Sequence, residues 1–330
     1  MESSEQGSSN LLSLKSPKLE KIMDWRPEAI RIVCILLIVI GHMVTYTGYI
    51  TNDLGDPLIW IAGSAVGIFM ICASYVQSLK DEFNKPGSLN PRSYWKFFKN
   101  RFLRLYIGYW LALIVVFVTK LTAGFTFVYA SSGLTIGGSA KAIPVIISPE
   151  SLVLDLTCMW PMVTGVLGGI FPEAWFICAI MILSLVYPFL RRLYSINPKY
   201  LYLIIVITLL FRILIAFFSN PNYAFHFPFA WTAEFSVGII LGARLFNKGG
   251  PAPPSALYKQ IFIRIASRVW PIYLLHMAAI VYMPTGQTAS VQDFILTVVF
   301  IIILVEFFVR ILTDINNLIG LKKKKILPPG

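Results

Sequence analysis

An acidic, a basic and an imidazole side chain stand in an otherwise apolar segment near the start of the chain. In EAIRIVCILLIVIGH, an α-helix would place Arg31 and His42 on one face, about 16 Å apart along its axis. Glu28, three residues before Arg31, lies on nearly the same stripe and can reach the guanidinium. A histidine in such a place can act as a general base, or it can hydrogen-bond a neighbouring helix.

A second pair of charges, Arg101 and Arg104, stands where a later apolar segment begins. The pair follows a basic stretch rich in aromatic residues, a composition common at the cytosolic membrane surface. Arginines at positions i and i+3 of a helix share one face, where they can also hold a polyanion such as the phosphates of a nucleotide-bearing donor. The residues alone leave both interpretations open.

Composition indicates what kind of element positions these residues. Of the 330 residues, 57% are hydrophobic and 13% are charged, and the mean hydropathy is +0.72. Such values exclude an ordinary soluble domain, and several apolar runs approach the ~20 residues with which a helix crosses a bilayer. A transmembrane barrel would show short alternating segments instead. The sequence therefore predicts an all-α fold, a polytopic transmembrane helix bundle of roughly 8–10 spans.

Eight segments are predicted to span the membrane: 28–49, 57–79, 102–119, 174–190, 201–218, 228–246, 266–283 and 293–313. If the N-terminus lies in the cytosol, the external loops contain only Lys120 and Lys141 among the basic residues. This bias predicts a multi-pass protein of the cell membrane, plasma or inner, with both termini cytosolic. The expected partner of the apolar surface is the lipid bilayer, and the net charge of +12 does not indicate nucleic acid.

The sequence divides into three regions. Residues 1–24 are polar and predict a disordered cytosolic tail, 25–315 form the transmembrane domain, and 316–330 form a basic cytosolic tail. Within the domain, residues 150–172 are long enough to span but contain Asp155, a proline and several glycines. Because a crossing there would invert every later loop, we predict a re-entrant or interfacial segment in a long external loop.

Other residues with metal-binding or charged side chains are given structural interpretations. The four cysteines lie in apolar surroundings without ligand spacing, so we predict buried thiols. The three histidines lie on separate segments, and no metal site is predicted. Arg212 and Glu234 fall within spans, where an ion pair between neighbouring helices is favoured slightly over a role in binding.

Five segments in this order resemble the acyltransferase-3 family of integral membrane O-acyltransferases. The first is the Arg31-to-His42 segment with its preceding acidic residue, followed by the Arg-x-x-Arg pair at 101–104. Further along, EAWFICAIMILSLVYPFLRRL resembles the family's Trp-Phe span, AEFSVGIILGARL its Gly-x-x-x-Gly span, and RVWPIYLLHM its Ile-Tyr-Leu-Leu-His segment. The resemblance covers most of residues 24–313.

The resemblance implies a reaction and roles for the residues. Acyl-CoA, usually acetyl-CoA, would be bound from the cytosol as a donor substrate, with no permanently bound cofactor. The acyl group would pass to a hydroxyl of a cell-envelope glycan or lipid-linked sugar, the expected acceptor partner. His42 would be catalytic, with Arg31 and Glu28 as its motif partners, while Arg101 and Arg104 would bind the CoA phosphates. His42 could act as a base or carry the acyl group transiently.

Three further residues are weaker candidates for the acceptor side. His276 in the last of these segments would support catalysis or bind the acceptor, although a structural hydrogen bond is the alternative. Glu173 and Trp175 open a span at the predicted outer face, where an aromatic ring can stack on a sugar. An interfacial tryptophan is the commoner explanation for Trp175.

Two other classes of function remain alternatives. A transporter or exporter of a polysaccharide or lipid-linked sugar would be expected to show broken helices with charge pairs at mid-membrane in both halves, and the sequence shows no such pattern. A purely structural bundle protein would have Arg31 and His42 aligned by chance.

Overall fold

The computed structural model describes most of the chain as a helical bundle. The described residues are 26–47, 57–79, 83, 88–130, 145–164, 168–219, 221–247, 256–284 and 290–318. The helices are α1 (Arg26–Thr47), α2 (Pro57–Ser78), α3 (Pro91–Thr122), α4 (Pro149–Thr157), α5 (Trp160–Val163), α6 (Trp175–Ile196), α7 (Lys199–Phe218), α8 (Pro221–His226), α9 (Thr232–Asn247), α10 (Ala256–Ile280) and α11 (Val291–Leu318). Short 3₁₀ turns precede α6 and α9, at Pro172–Ala174 and Pro228–Trp231.

The predicted all-α bundle is confirmed, because a long helix covers most of each predicted span. In the described chain, seven segments are long and apolar enough to cross a membrane. They comprise α1, α2, α3, α6, α7, α9 with its preceding turn, and α11. The eighth predicted span corresponds to α10, which is 25 residues long. The predicted N-terminal tail, Lys141 and residues 319–330 of the C-terminal tail lie outside the described residues.

Helix α3 begins eleven residues earlier than the predicted span. Asn90 accepts a hydrogen bond from Ser93 N, Ser93 Oγ accepts one from Asn90 N, and Pro91 occupies the first turn. This capping box satisfies backbone N–H groups that have no partner in the helix. The predicted boundary was wrong because it followed hydropathy alone. The basic stretch before Arg101 is therefore helical and holds the Arg101 and Arg104 side chains on a rigid element.

The names basic end and far end distinguish the two ends of the bundle. The basic end contains the starts of α1 and α3 and the end of α2, and includes Arg31 and Arg101. The far end contains the end of α3, where Thr122 and Tyr282 hydroxyls meet. According to the charge bias, the basic end is the one predicted to face the cytosol.

The segment before α6 enters the bundle from the far end. Strands β1 (Phe127–Tyr129) and β2 (Val145–Ile147) pair in parallel beside the end of α3. Helix α4 then reaches the middle of α3, where Tyr106, Tyr109 and Trp110 donate hydrogen bonds to its last carbonyls. These donors satisfy groups that a helix C-terminus leaves unpaired. With nine residues α4 is too short to cross a bilayer, which agrees with the predicted re-entrant segment.

The ion pair and the buried thiols that the sequence predicts are present in the bundle. Arg212 on α7 makes two hydrogen bonds to the Glu234 carboxylate on α9, at 2.6 and 2.8 Å, so the favoured ion pair is confirmed. Arg268 and Glu306 join α10 to α11 in the same way, at 2.8 and 3.1 Å. The predicted burial of the thiols is also confirmed: Cys34, Cys72, Cys158 and Cys178.

Close packing of α9 against α2 forms the tightest interface described. A side chain added at Gly242 would place its Cβ 2.5 Å from the Tyr75 carbonyl oxygen and 2.8 Å from Ser78 Cβ. Gly238, one turn earlier, meets α2 equally closely. Small residues permit such backbone approach in membrane bundles, where van der Waals packing replaces the hydrophobic driving force.

The glycine contact leads to a stability prediction. Gly242→Val is expected to destabilise the bundle by about 1–3 kcal/mol, because neither the Tyr75 carbonyl nor α9 can move without loosening the interface. The effect is measured as the thermal midpoint of the purified protein, which is the temperature at which half of the monodisperse elution peak is lost. Leu241→Val is the matched control because Leu241 is 46% exposed and packs little. Equal midpoints for the two variants would contradict the prediction.

Candidate active site

Two histidines from helices far apart in the chain meet inside the bundle. His42 Nδ1 on α1 lies 3.1 Å from His276 Nε2 on α10, and the ring centroids are 5.0 Å apart. His276 is fully buried and His42 is partly buried. The sequence singled out these residues separately, as a catalytic residue and as an acceptor-side candidate. The structure brings them into direct contact.

The hydrogen bonds of the pair determine which ring nitrogens carry hydrogen. His276 Nδ1 lies 2.7 Å from the backbone carbonyl oxygen of Tyr273, which can only accept, so Nδ1 carries the hydrogen. In a neutral ring, Nε2 is then an acceptor, and His42 donates to it through Nδ1. His42 Nε2 therefore keeps its lone pair, as both a general base and a nucleophile require.

Polar groups lie beside the histidine pair. The hydroxyls of Tyr46 and Tyr273 donate to the backbone carbonyls of Val281 and Glu173, respectively. The Glu173 side chain is near enough to His42 for an electrostatic interaction, and its Oε2 is buried without a hydrogen-bond partner in the described chain. A carboxylate so placed can stabilise positive charge on an imidazole or accept a hydrogen bond from a bound hydroxyl.

Trp175 lies next to Glu173 but is only 7% exposed. Its ring contacts four other rings, those of Phe176, Phe225, His226 and Trp231. The structure thus places Trp175 inside an aromatic cluster that supports the start of α6. Its ring is covered in this arrangement, whereas Glu173 carries an unpaired polar atom.

The Arg31 end of the α1 stripe is joined to Glu28 and α2. Arg31 Nη1 donates to Glu28 Oε1 at 3.0 Å, and the guanidinium carbon lies 5.6 Å from the centre of the Phe69 ring. Arg31 Nε is buried without a partner among the described residues. One carboxylate therefore does not use all the hydrogen-bonding capacity of this arginine. Between Arg31 and His42 the stripe is apolar and buried, as at Ile35 and Ile38.

Arg101 and Arg104 lie near Arg31 at the basic end. Arg101 interacts electrostatically with both other arginines, so three cations share this region with the Glu28 carboxylate. Arg101 Nε donates to Ser184 Oγ on α6 at 3.0 Å, and this bond orients the guanidinium. Arg104 is exposed. An excess of guanidinium groups around an open space favours a bound polyanion.

A cavity of about 310 Å³ opens beside these arginines. Its walls come from α2, α3 and α6 and the segment between α2 and α3. The lining residues are Gln77, Phe83, Ser93, Lys96, Phe97, Asn100, Arg101, Arg104 and Tyr187. The cavity therefore combines positive charge with aromatic surface, as a nucleotide requires.

Sequence reasoning missed the α6 residues of this site. Ser184 accepts hydrogen bonds from Arg101 and, at 3.4 Å, from Gln77 Nε2, and the Tyr187 hydroxyl donates to the Gln77 carbonyl. The available signal was the three-residue spacing of Ser184 and Tyr187, which places two polar groups on one face of an apolar helix. Among the described residues, no group of three or more His, Cys, Asp or Glu side chains could hold a metal.

Comparison with known proteins places this geometry in a family. No curated protein and no solved structure matches the chain. The family model for the acyltransferase domain of type 3 matches residues 24–251, which include α1 to α9, His42 and all three arginines of the basic end. His276 lies beyond the matched region, and its contact with His42 is a finding of the structure. The chain is a multi-pass membrane acyltransferase that belongs to the acyltransferase-3 family.

Proposed function

We propose that this protein transfers an acetyl or other short acyl group from cytosolic acyl-CoA to a hydroxyl of a cell-envelope glycan or lipid-linked sugar. The observation that carries the proposal is the His42–His276 pair, whose hydrogen bonds leave His42 Nε2 unprotonated. His42 stands on the same α1 stripe as Arg31, about 16 Å from it. A reactive nitrogen and an anion site are thus at opposite ends of one helix face.

The donor is proposed to bind at the basic end. Arg101 and Arg104, supported by Arg31, offer guanidinium groups to the phosphates of CoA, and the cavity beside them has room for part of a nucleotide. The distance along α1 from this region to His42 is about the length of a pantetheine arm, roughly 16 Å. A donor anchored here would present its thioester to His42, with the pantetheine arm passing between the apolar side chains that separate the two ends.

The acceptor hydroxyl is proposed to approach from the far end. His42 Nε2 takes the hydroxyl proton while the oxygen attacks the thioester carbonyl carbon. The carbon–sulfur bond then breaks, and the CoA thiolate takes the proton back from His42. Glu173, whose Oε2 has no hydrogen-bond partner in the described chain and which also interacts electrostatically with Lys120, can stabilise the imidazolium or orient the acceptor. The same nitrogen could instead carry the acyl group between two transfers, and trapping in a single turnover without acceptor distinguishes the two routes.

The first prediction tests the base. Membranes carrying His42→Ala are expected to incorporate label from acetyl-CoA into a crude envelope glycan at least about 10²-fold more slowly than wild type, because proton removal is lost. The measurement is glycan-bound label after removal of lipid and CoA. Equal incorporation by the two membranes would refute the assignment of His42. Absence of incorporation in both, with altered glycan export, would favour the transporter alternative.

The second prediction concerns His276 as a positioning residue. His276→Ala removes the side-chain acceptor for His42 Nδ1 and leaves only the backbone of Ile38 to orient the His42 ring, so kcat is expected to fall about 10- to 100-fold. The KM for acyl-CoA should not change, because the donor phosphates lie at the other end of the bundle. His276→Gln keeps an acceptor oxygen and should restore part of kcat. A raised donor KM without rescue would indicate a merely structural role.

The third prediction concerns the donor site. Arg101→Gln with Arg104→Gln is expected to raise the KM for acetyl-CoA by about 10²-fold with a smaller effect on kcat, because the interactions are the same in ground state and transition state. The control is Arg92→Gln with Lys99→Gln, which removes the same charge from exposed positions of the same helix. If both double variants raise KM equally, the general positive charge of this region explains the change in KM, and the proposed contact of Arg101 and Arg104 with the phosphates is refuted.

A further inference from the structure

Arg191 on α6 is the largest side chain that the bundle buries almost completely, with 1% exposure. All three guanidinium nitrogens are buried without a hydrogen-bond partner in the described chain. Among the described residues, the ring of Tyr194 is what engages the charge, with its centre 5.5 Å from the guanidinium carbon. A buried cation ordinarily requires an anion, since the interior replaces the water that would solvate it.

Helical geometry gives the direction in which Arg191 lies. Ser184, Tyr187 and Arg191 occupy positions i, i+3 and i+7 of α6, within an arc of about 60°. Ser184 binds Arg101, and Tyr187 lines the cavity at the basic end. Arg191 therefore lies on the same stripe of α6, one turn beyond Tyr187, although it is buried and does not itself line the cavity. It stands about 10 Å closer to the basic end than Ser184.

We propose that Arg191 binds the ribose 3′-phosphate of the acyl-CoA donor. The inference rests on the proposed function, which points the thioester toward His42 and places the diphosphate by Arg101 and Arg104. The part of CoA farthest from the thioester is the nucleotide with its 3′-phosphate. Arg191 lies on the same stripe in that direction, and its guanidinium offers unused donors for a phosphate.

The test compares two donors that differ by one phosphate. Purified full-length protein in nanodiscs of zwitterionic lipid is titrated with labelled acetyl-CoA and with labelled acetyl-3′-dephospho-CoA. Wild type is expected to bind acetyl-CoA about 10- to 100-fold more tightly than the dephospho form. This ratio is what the loss of charge-assisted hydrogen bonds to one phosphate would cause. Arg191→Gln should lose this preference by weakening acetyl-CoA alone, and Arg191→Lys should keep part of it.

The matched control is Arg192→Gln. Arg192 is the next residue, carries the same charge and has Ser195 as a hydrogen-bond partner at 3.4 Å. Its replacement should leave both affinities unchanged. If the loss of any positive charge near the basic end weakens donor binding, the Arg191 and Arg192 variants will lose affinity for acetyl-CoA equally. That result would overturn the assignment.

Ligand-free stability separates binding from a structural role. Because Arg191 has no anionic partner in the described chain, Arg191→Gln should be at least as heat-stable as wild type without donor, and should gain less stability from acetyl-CoA. A lower midpoint without donor would overturn the proposal. So would stabilisation of wild type, but not of Arg191→Gln, by added phosphatidylglycerol, since a lipid phosphate would then occupy the site.

The outcomes also distinguish this inference from the proposed function. Wild type that binds both donors equally refutes the role of Arg191 and leaves acyl-CoA as the donor. Wild type that binds neither donor refutes the donor site as a whole and the Arg191 assignment with it.

Discussion

The hydrogen bond between His42 and His276 imposes the strictest requirement on the bundle. In a bilayer, a polar ring without a partner is costly, because no water replaces the lost hydrogen bonds. The two histidines meet this cost through each other and through backbone groups, Tyr273 for His276 and Ile38 for His42. The arrangement exists only if α1 and α10 pack side by side in one register. The packing of α1 on α2, and of α2 on the glycines of α9, supports that register.

Charged and apolar side chains occupy different levels along the bundle, as the proposed reaction requires. Arginines gather at one end around a cavity, the middle of the α1 stripe is apolar, and the polar groups near Glu173 lie on the other side of the histidines. A low-dielectric middle strengthens electrostatic interactions on both sides and excludes water that would hydrolyse a thioester. The segment before α6 adds to this exclusion, because the end of α4 is hydrogen-bonded to α3 and Cys158 contacts the Ala174 carbonyl at the start of α6.

Periodicity along one helix was enough to predict the α1 stripe. The spacing of Arg31 and His42 implies a shared face whatever surrounds the helix. Hydropathy located a long helix at each predicted span, and seven of these helices in the described chain are long and apolar enough to cross a membrane. The start of α3 was missed because the capping box at Asn90 is a local hydrogen-bond signal that hydropathy does not contain. It could have been found from the Asn-Pro-x-Ser pattern.

Contacts between helices could not be predicted in this way. Ser184 binds Arg101 across 83 positions of sequence, and the two histidines meet across 234. Such pairings depend on the rotation and depth of each helix, which packing sets and a single sequence does not reveal. The surroundings of Trp175 could not be predicted either. Its position at the start of a span suggested a ring that a sugar could reach, whereas neighbouring aromatic residues cover it.

The acceptor that orients His276 belongs to the main chain. Tyr273 supplies it through its carbonyl, three residues before the histidine on the same helix, so every amino acid at position 273 that keeps α10 helical would supply it as well. Ser-His-Asp triads use a side-chain carboxylate for the equivalent orientation, and that group can be lost by a single substitution. Here the helical backbone of α10 determines the tautomer of the pair. A substitution of the Tyr273 side chain that keeps α10 helical therefore leaves the tautomer unchanged.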